Sequence, residues 1–114
     1  MHAINGHRQT QLATKLQMAD TVWTRLRGLM GRTGLDSGEG LWIVPCRGIH
    51  THGMAFSIDV LFLDRERTVV GAEENLAPGR FAAIRWKAKT VLELPAGTVR
   101  RTGTRLGDRI DIEH

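Results

Sequence analysis

Two acidic residues, Asp59 and Glu93, interrupt segments that are otherwise apolar. An ionised carboxylate among hydrophobic side chains must face a polar site or find a partner inside the protein. If the two segments lie side by side, the carboxylates can share a site for acid–base chemistry or for binding a polyhydroxy ligand such as a sugar. A structural interpretation also stays open, in which Arg32 or Arg47 neutralises a carboxylate and turn amides satisfy the rest.

A soft set of possible metal ligands lies within nine positions: Cys46, His50, His52 and Met54. Thiolate, imidazole and thioether groups suit copper(I) or zinc. Their spacing matches no strong metal signature, and in a strand the last three side chains project to one side, as core packing also requires. We therefore expect no bound metal and no cofactor, with a histidine at the edge of a pocket and a methionine in the core.

A cysteine–histidine nucleophilic pair is the catalytic alternative. Cys46 would supply the thiolate, His50 the base, and Asp59 the group that orients the imidazole. Because Pro45 and Cys46 follow a predicted strand and do not open a helix, no helix dipole lowers the pKa of the thiol. A lone cysteine is more often a small buried hydrophobic residue, so a hydrolase-like enzyme is the less favoured hypothesis.

The 114 residues and 41% hydrophobic content are those of one folded domain. We expect residues 1–10 to be a flexible N-terminal extension and residues 11–114 to be the domain. Cys46 is the only cysteine, so it forms no internal disulfide and indicates no oxidising compartment. The longest apolar runs fall short of the roughly 20 residues that span a bilayer, and the chain starts with no apolar signal core. We expect a cytoplasmic protein with no membrane partner.

The net charge of +4, with 16 Lys and Arg residues, raises the question of nucleic-acid binding. Trp23, Trp42 and Trp86 lie far apart in sequence and Tyr is absent, so the chain shows no clear platform for base stacking. Binding of nucleic acid, or of an acidic partner, is therefore kept only as a further alternative. The basic residues are scattered, and the densest group is Arg100, Arg101, Arg105 and Arg109.

Residues 11–18 alternate between apolar and polar side chains, which predicts a half-buried strand. Asp20 or Thr21 can then cap a short helix that ends near Met30, with Gly31 as its C-cap. One face of this helix is apolar and contains Val22, Leu26, Leu29 and Met30. It is the only helix that we expect.

Short strands dominate the rest of the chain. Two of them form an antiparallel hairpin around the charged turn at residues 65–67, and the first is buried on both faces apart from Asp59. The glycines at the end of the sequence, Gly97, Gly103 and Gly107, are predicted turn residues and not a phosphate loop, since no helix is expected after them. Strands are predicted at residues 41–44, 57–64, 68–72, 81–86, 90–94 and 109–112.

Three motifs carry a resemblance to a known family: GLMGR at Gly28 to Arg32, IDVLFLD at Ile58 to Asp64, and VLELPAG at Val91 to Gly97. In order and spacing they resemble domain-of-unknown-function family 192, also called uncharacterised protein family 0127, over about residues 12–112. The resemblance implies a compact sandwich of jelly-roll character and no established enzymatic activity. Many members carry an export or lipid-anchor signal before the domain, whereas this chain begins almost at its first predicted strand, which supports the cytoplasmic expectation.

We therefore predict a mainly β fold, a small jelly-roll-like sandwich or partly closed barrel with one short α-helix near residues 20–31. The predicted function is a non-catalytic binding module for a small polar, carbohydrate-like ligand. Its predicted pocket is formed by His50, Thr51, Asp59, Glu93 and Arg32.

Overall fold

The computed structural model describes residues 1–82 and 84–114. Ten strands and two short helices lie in these ranges. In chain order they are β1 His2–Asn5, β2 Thr10–Ala13, β3 Lys15–Ala19, α1 Val22–Arg27, β4 Glu39–Ile43, β5 Ile49–His50, β6 Ile58–Leu63, β7 Val69–Leu76, β8 Phe81–Ala82, β9 Thr90–Pro95, α2 Thr98–Thr102 and β10 Ile110–Glu113.

The centre of the molecule is a five-stranded sheet in the order β3-β4-β9-β6-β7. Its strands pair antiparallel except for β3 and β4, which are parallel. All six residues of β6 are buried, because both faces of the sheet are covered. The predicted β6–β7 hairpin and the double burial of its first strand are thus confirmed.

Two separate hydrophobic cores flank this sheet. A three-stranded sheet in the order β10-β1-β2 covers one face. Leu29 after α1, Met54 before β6 and Ala82 of β8 contribute to the core on the other face. The first core contains Ala3, Leu12, Ala13, Leu16, Trp42, Leu61, Leu63, Val69, Leu92, Leu94, Val99, Ile110 and Ile112. The second contains Ala19, Leu29, Leu41, Ile43, Met54, Ile58, Val60, Phe62, Ala82, Ala88 and Val91.

This layered arrangement confirms the predicted mainly β, sandwich-like fold, and the sheets of the described residues do not close into a barrel. None of the helices in the described ranges has the length and apolarity needed to cross a bilayer.

The prediction of a single helix is wrong, because residues 98–102 form α2. A five-residue helix is too short to leave a readable 3.6-residue hydrophobic period, which is why the sequence did not reveal it. Gly97 and Gly103 flank α2 and Gly107 follows it, all with positive φ (93°, 70° and 91°), so their prediction as turn glycines is confirmed.

Helix α1 is shorter than predicted and stands on the surface. Thr21 caps it, with its hydroxyl accepting a hydrogen bond from the Thr24 amide at 3.0 Å, and Gly28, not Gly31, is the C-cap. No residue of α1 is buried, so Val22 and Leu26 do not enter the core as their spacing suggested. Leu29, just beyond the helix, does.

The strand predicted at residues 11–18 is two strands, β2 and β3. They belong to different sheets and separate at Thr14, where the amides of Thr14 and Lys15 both donate to the Gly38 carbonyl oxygen at 2.8 Å. The strand predicted at residues 81–86 is β8, whose bounds are Phe81 and Ala82, and Ala83 lies outside the described residues. Simple alternation of side chains does not show where a chain crosses from one sheet to another.

Residues 1–10, expected as a flexible extension, contain β1, which pairs with β10 on one side and β2 on the other. Ala3 contributes to the first core, so this segment is part of the sandwich. The sequence-based boundary at residue 11 missed β1 because its four residues carry too little pattern.

Asp108, in the loop that precedes β10, is hydrogen-bonded to β1 and to the turn that follows it. Its Oδ2 atom accepts hydrogen bonds from Asn5 Nδ2 at 3.0 Å, Arg8 Nε at 2.9 Å and the Arg105 amide at 3.0 Å. Burial alone raises the pKa of Asp108, but the hydrogen bonds from Asn5, Arg105 and Arg8 outweigh it and lower the pKa to about 2.

The depressed pKa of Asp108 predicts a specific loss of stability in acid. Its folded-state pKa lies below its ordinary value of 3.8, so the stabilisation is complete above about pH 4 and disappears as the pH falls toward 2. Replacing Asp108 with Asn should lower the free energy of unfolding at pH 7 by about 2 kcal/mol and flatten its dependence on pH between 4 and 2. Urea unfolding at several pH values measures both effects.

Asp111→Asn is the matched control, because Asp111 forms an exposed ion pair with Arg109. This variant should keep the acid dependence of the unmodified protein. An equally steep acid dependence in Asp108→Asn would contradict the role given to Asp108.

Candidate functional site

The register of β6 and β9 separates the two unusual carboxylates. Asp59 lies opposite Leu94, and Glu93 lies opposite Val60. Directly opposed side chains share a face of a sheet, and consecutive residues of a strand point to opposite faces. The two strands are neighbours, as the shared-site hypothesis requires, but Asp59 and Glu93 point to opposite sides of the sheet.

Asp59 is fully satisfied by backbone amides. Its side chain is 0% exposed; Oδ1 accepts a hydrogen bond from the Asn75 amide at 2.8 Å, and Oδ2 accepts from the amides of Gly97 at 3.1 Å and Val99 at 2.8 Å. The carboxylate therefore joins β6 to the end of β7 and to the first turn of α2. This geometry favours the structural interpretation of Asp59.

Glu93 is only 3% exposed and makes no hydrogen bond or ion pair with any described residue. On its face of the sheet it lies in a row between Leu41 of β4 and Val60 of β6. Burial raises the pKa of Glu93 to about 7. A carboxyl group in this position changes charge near neutral pH and keeps its hydrogen-bonding capacity free.

Glu93 lines a cavity of about 420 Å³. Buried residues of the second core, Leu29, Ile43 and Met54, line the cavity with it. The more exposed lining comes from α1 and from the segment after β4: Val22, Arg25, Leu26, Arg27, Gly28, Met30, Pro45, Cys46, Arg47, Gly48, Ile49 and His50. The cavity thus has an apolar interior, one buried acid and a partly basic rim.

Gly28 lies beside Glu93, and its backbone conformation rather than the space around it favours glycine. A Cβ atom at Gly28 would lie 3.6 Å from Glu93 Oε1, and the φ of 50° at this position favours glycine. The motif GLMGR therefore contributes to the cavity wall as well as to the end of α1, a role that sequence reasoning missed.

Cys46 and His50 both line the cavity, and each makes its hydrogen bond with another residue. The Cys46 thiol donates to the Gly48 carbonyl oxygen at 3.1 Å, and His50 Nδ1 accepts from the His52 amide at 3.3 Å. Burial, together with the nearby Glu93 charge, raises the pKa of the Cys46 thiol, so little thiolate forms at neutral pH. The third member of the hypothesised triad, Asp59, points to the other side of the sheet.

Thr51 does not line the cavity and makes its hydrogen bonds within the protein. It is fully buried, its hydroxyl donates to the Ala77 carbonyl oxygen at 2.6 Å, and the same oxygen accepts from the Arg80 amide at 2.8 Å. These bonds hold the loop before β8 against the segment after β5.

Arg32 binds Glu39, with Nη2 at 3.2 and 3.3 Å from the two carboxylate oxygens, and does not line the cavity. Of the five predicted ligand-binding residues, the structure therefore brings only His50 and Glu93 to this cavity. In the described part of the chain, no three His, Cys, Asp or Glu side chains converge on a position that could hold a metal ion.

Residues 3–112 match domain-of-unknown-function family 192, described as "Uncharacterized ACR", and the chain belongs to this family. A UPF0127 protein of Thermococcus sibiricus is 35% identical in an alignment 104 positions long, which covers 87% of this chain and 66% of that protein. A UPF0127 protein of Pyrococcus abyssi is 33% identical in an alignment 114 positions long, which covers 95% of this chain and 94% of the relative. The family resemblance read from the three motifs is thus confirmed.

Two crystal structures share the fold. A protein of unknown function from Novosphingobium aromaticivorans has a TM-score of 0.79 at 22% identity, with 98% of this chain and 93% of that chain covered. A protein from Sinorhizobium meliloti, whose description refers to a transcription regulator, has a TM-score of 0.81 at 28% identity, with 96% and 89% covered.

Loss of the Asp59 carboxylate should destabilise the protein strongly. Asp59→Ala leaves three amides without their acceptor, which should lower the free energy of unfolding by at least about 3 kcal/mol. Hydrogen exchange should accelerate first at the amides of Asn75, Gly97 and Val99. Asp64→Ala is a control, because Asp64 also accepts two amides, but in the partly exposed turn of the hairpin. A smaller loss in Asp59→Ala than in Asp64→Ala would contradict the assignment.

The raised pKa of Glu93 predicts that stability falls as the pH rises toward neutrality. Between the ordinary pKa of 4.5 and the folded-state value of about 7, the unfolded chain has released a proton that the folded protein retains, so the free energy of unfolding decreases with pH. The total change is on the order of 3 kcal/mol. Glu93→Gln should remove this decrease, whereas Glu66→Gln, a change in the exposed hairpin turn, should leave it intact. Urea unfolding of the three proteins between pH 4 and 8 measures this dependence, and an unchanged decrease in Glu93→Gln would contradict the prediction.

Proposed function

We propose that this protein is a non-catalytic binding module that takes a small molecule into the cavity beside Glu93. The observation that carries the proposal is a carboxyl group 97% removed from solvent, without a protein partner, beside a cavity of about 420 Å³. A buried carboxyl group with no partner costs free energy unless it is protonated or a ligand satisfies it. A cavity of this volume falls within the range of small-molecule sites.

The lining favours a ligand with one polar end and an apolar body. Glu93 is the buried polar group, while Leu29, Ile43 and Met54 contribute hydrocarbon and thioether surface to the same cavity. A sugar would need several polar side chains around its ring, and this interior supplies one. The proposal therefore keeps the small-ligand function and replaces the carbohydrate class with hydroxyl-, amide- or amine-bearing amphiphiles.

Because Glu93 can be protonated or ionised near neutral pH, it can bind ligands that accept hydrogen bonds and ligands that donate them. With a pKa of about 7, the group donates a hydrogen bond when it is protonated and accepts bonds when it is ionised. Ligands that donate should therefore bind better above pH 7, and binding should release a proton from Glu93 near neutral pH.

The arrangement around Cys46 does not favour the enzyme alternative. A thiol whose pKa is raised and whose proton is donated to a carbonyl oxygen lacks the base that nucleophilic catalysis requires. The cavity residues support recognition by hydrogen bonding and apolar contact.

Heteronuclear NMR titration at pH 8 with 1-pentanol, pentanamide, pentylamine and glucose tests the proposal. We expect the linear amphiphiles to shift the amides of Glu93, Cys46 and Met54 and glucose to leave them unchanged. Glu93→Leu, which keeps a buried side chain of similar size but removes the polar group, should weaken binding by about tenfold or more.

Glu39→Leu serves as the matched control, because it removes a partly exposed carboxylate that does not line the cavity. It should leave the titration unchanged. Shifts that appear with glucose alone, or equal binding by Glu93→Leu and the unmodified protein, would overturn the proposed ligand class. The absence of shifts with all four compounds would overturn the site.

A further inference from the structure

Exposed apolar side chains are concentrated in two stretches of the chain. Of nine large hydrophobic residues that are exposed in the described ranges, seven lie between residues 22 and 30 or between residues 81 and 86. Trp23 is 75% exposed and Trp86 is 80% exposed. Apolar surface of this kind marks an interaction site when it is contiguous. The seven residues are Val22, Trp23, Leu26, Met30, Phe81, Ile84 and Trp86.

The loop after β4 joins the two stretches into one surface. Arg25 Nη1 donates to the Pro45 carbonyl oxygen at 3.3 Å, which places α1 against the start of this loop. The Arg85 amide donates to the Arg47 carbonyl oxygen at 3.0 Å, which places the second stretch against the next part of it. We call this surface the basic face and define it by residues 21–32, 45–52, 80–82 and 84–89.

The charge of this surface has one sign. The sequence contains no Asp or Glu at residues 21–35, 40–58 or 75–92, although the chain has 12 acidic residues. Two of the cations there are paired with acids from outside the ranges, Arg32 with Glu39 and Arg85 with Glu73. The others form no ion pair with the described residues, and they are Arg25, Arg27, Arg47, Arg80, Lys87 and Lys89.

We propose that the basic face docks on the surface of a membrane that carries anionic headgroups, with Trp23 and Trp86 inserted at the interface. Tryptophan prefers the boundary between headgroups and acyl chains, where its ring is half in a polar and half in an apolar environment. Arginine and lysine beside it gain from the negative surface potential of anionic lipids. Peripheral docking needs no spanning helix. The expectation of no membrane partner rested on the lack of a segment that could span or enter a bilayer, and it does not apply to docking on the membrane surface.

The same features disfavour other occupants. In a two-fold dimer through this face, unpaired cations would meet their own copies with no acid between them. Single-stranded nucleic acid stacks on aromatic rings but gains little from exposed aliphatic side chains such as Val22, Leu26 and Ile84. A protein partner would need a separate pocket for each protruding tryptophan, whereas a fluid interface accepts them without matching shape.

Vesicle flotation measures the proposed contact directly. The probes are vesicles of phosphatidylcholine alone and of phosphatidylcholine with about 30 mol% phosphatidylglycerol. We expect binding to the anionic vesicles only, with a partition coefficient that falls as salt rises from about 0.05 to 0.5 M. Brominated lipid should quench part of the fluorescence, from Trp23 and Trp86, and leave the emission of buried Trp42.

Two double variants test the apolar and the charged contributions separately. Trp23→Ser with Trp86→Ser should lower the partition coefficient at least about tenfold. Arg80→Glu with Lys87→Glu should lower it by about 30-fold or more, since each cation contributes about fivefold. None of these four residues lines the cavity, so the result does not depend on the ligand proposed for Glu93.

Matched controls change the same residue types elsewhere. Leu106→Ser removes an exposed hydrophobic side chain and Arg65→Glu reverses an exposed charge outside the basic face, and both should bind vesicles as the unmodified protein does. Circular dichroism shows that each variant is folded. Equal binding to neutral vesicles, or equal losses in the controls, would overturn the proposal. So would binding of a single-stranded oligonucleotide, or a dimer that shields both tryptophans, without any binding to vesicles.

Discussion

Burial of the five-stranded sheet on both faces is the constraint that organises this molecule. On a strand with no wet side, a polar side chain costs free energy unless it finds a partner inside the protein. Asp59 and Glu93 are the two carboxylates on its central strands, and the fold treats them in opposite ways. Asp59 receives three amides from two segments, the end of β7 and the start of α2, whereas Glu93 receives none.

That difference distinguishes the two sides of one sheet. The small sheet and α2 cover the face with Asp59, and the Asp59 carboxylate accepts amides from the end of β7 and from the start of α2. The face with Glu93 is covered by surface loops and a short helix that leave a space beside the acid. Both faces carry a hydrophobic core, so the fold does not depend on a hydrogen bond at Glu93.

Sequence patterns predicted the central hairpin, the mainly β class and the two exceptional carboxylates, because these depend on runs of hydrophobic residues with local signals. They could not decide whether Asp59 and Glu93 share a site. That outcome depends on the register of β6 against β9, and a shift of one residue reverses the answer. Likewise the sequence suggested Thr51 as a pocket residue, but in the structure its hydroxyl is hydrogen-bonded to the backbone of residues 77–80. Short elements such as β1 and α2 escaped detection because their tertiary contacts, not their own patterns, stabilise them.

The pairing of β1 with β10 brings His2 opposite Glu113. Both ends of the polypeptide therefore leave the molecule from the small sheet, across the central sheet from the cavity and the basic face. A fusion partner or a surface attachment at either end can be added without covering those two regions. The same proximity would let a short linker join the ends into a circular permutant, with new ends opened in the hairpin turn between β6 and β7.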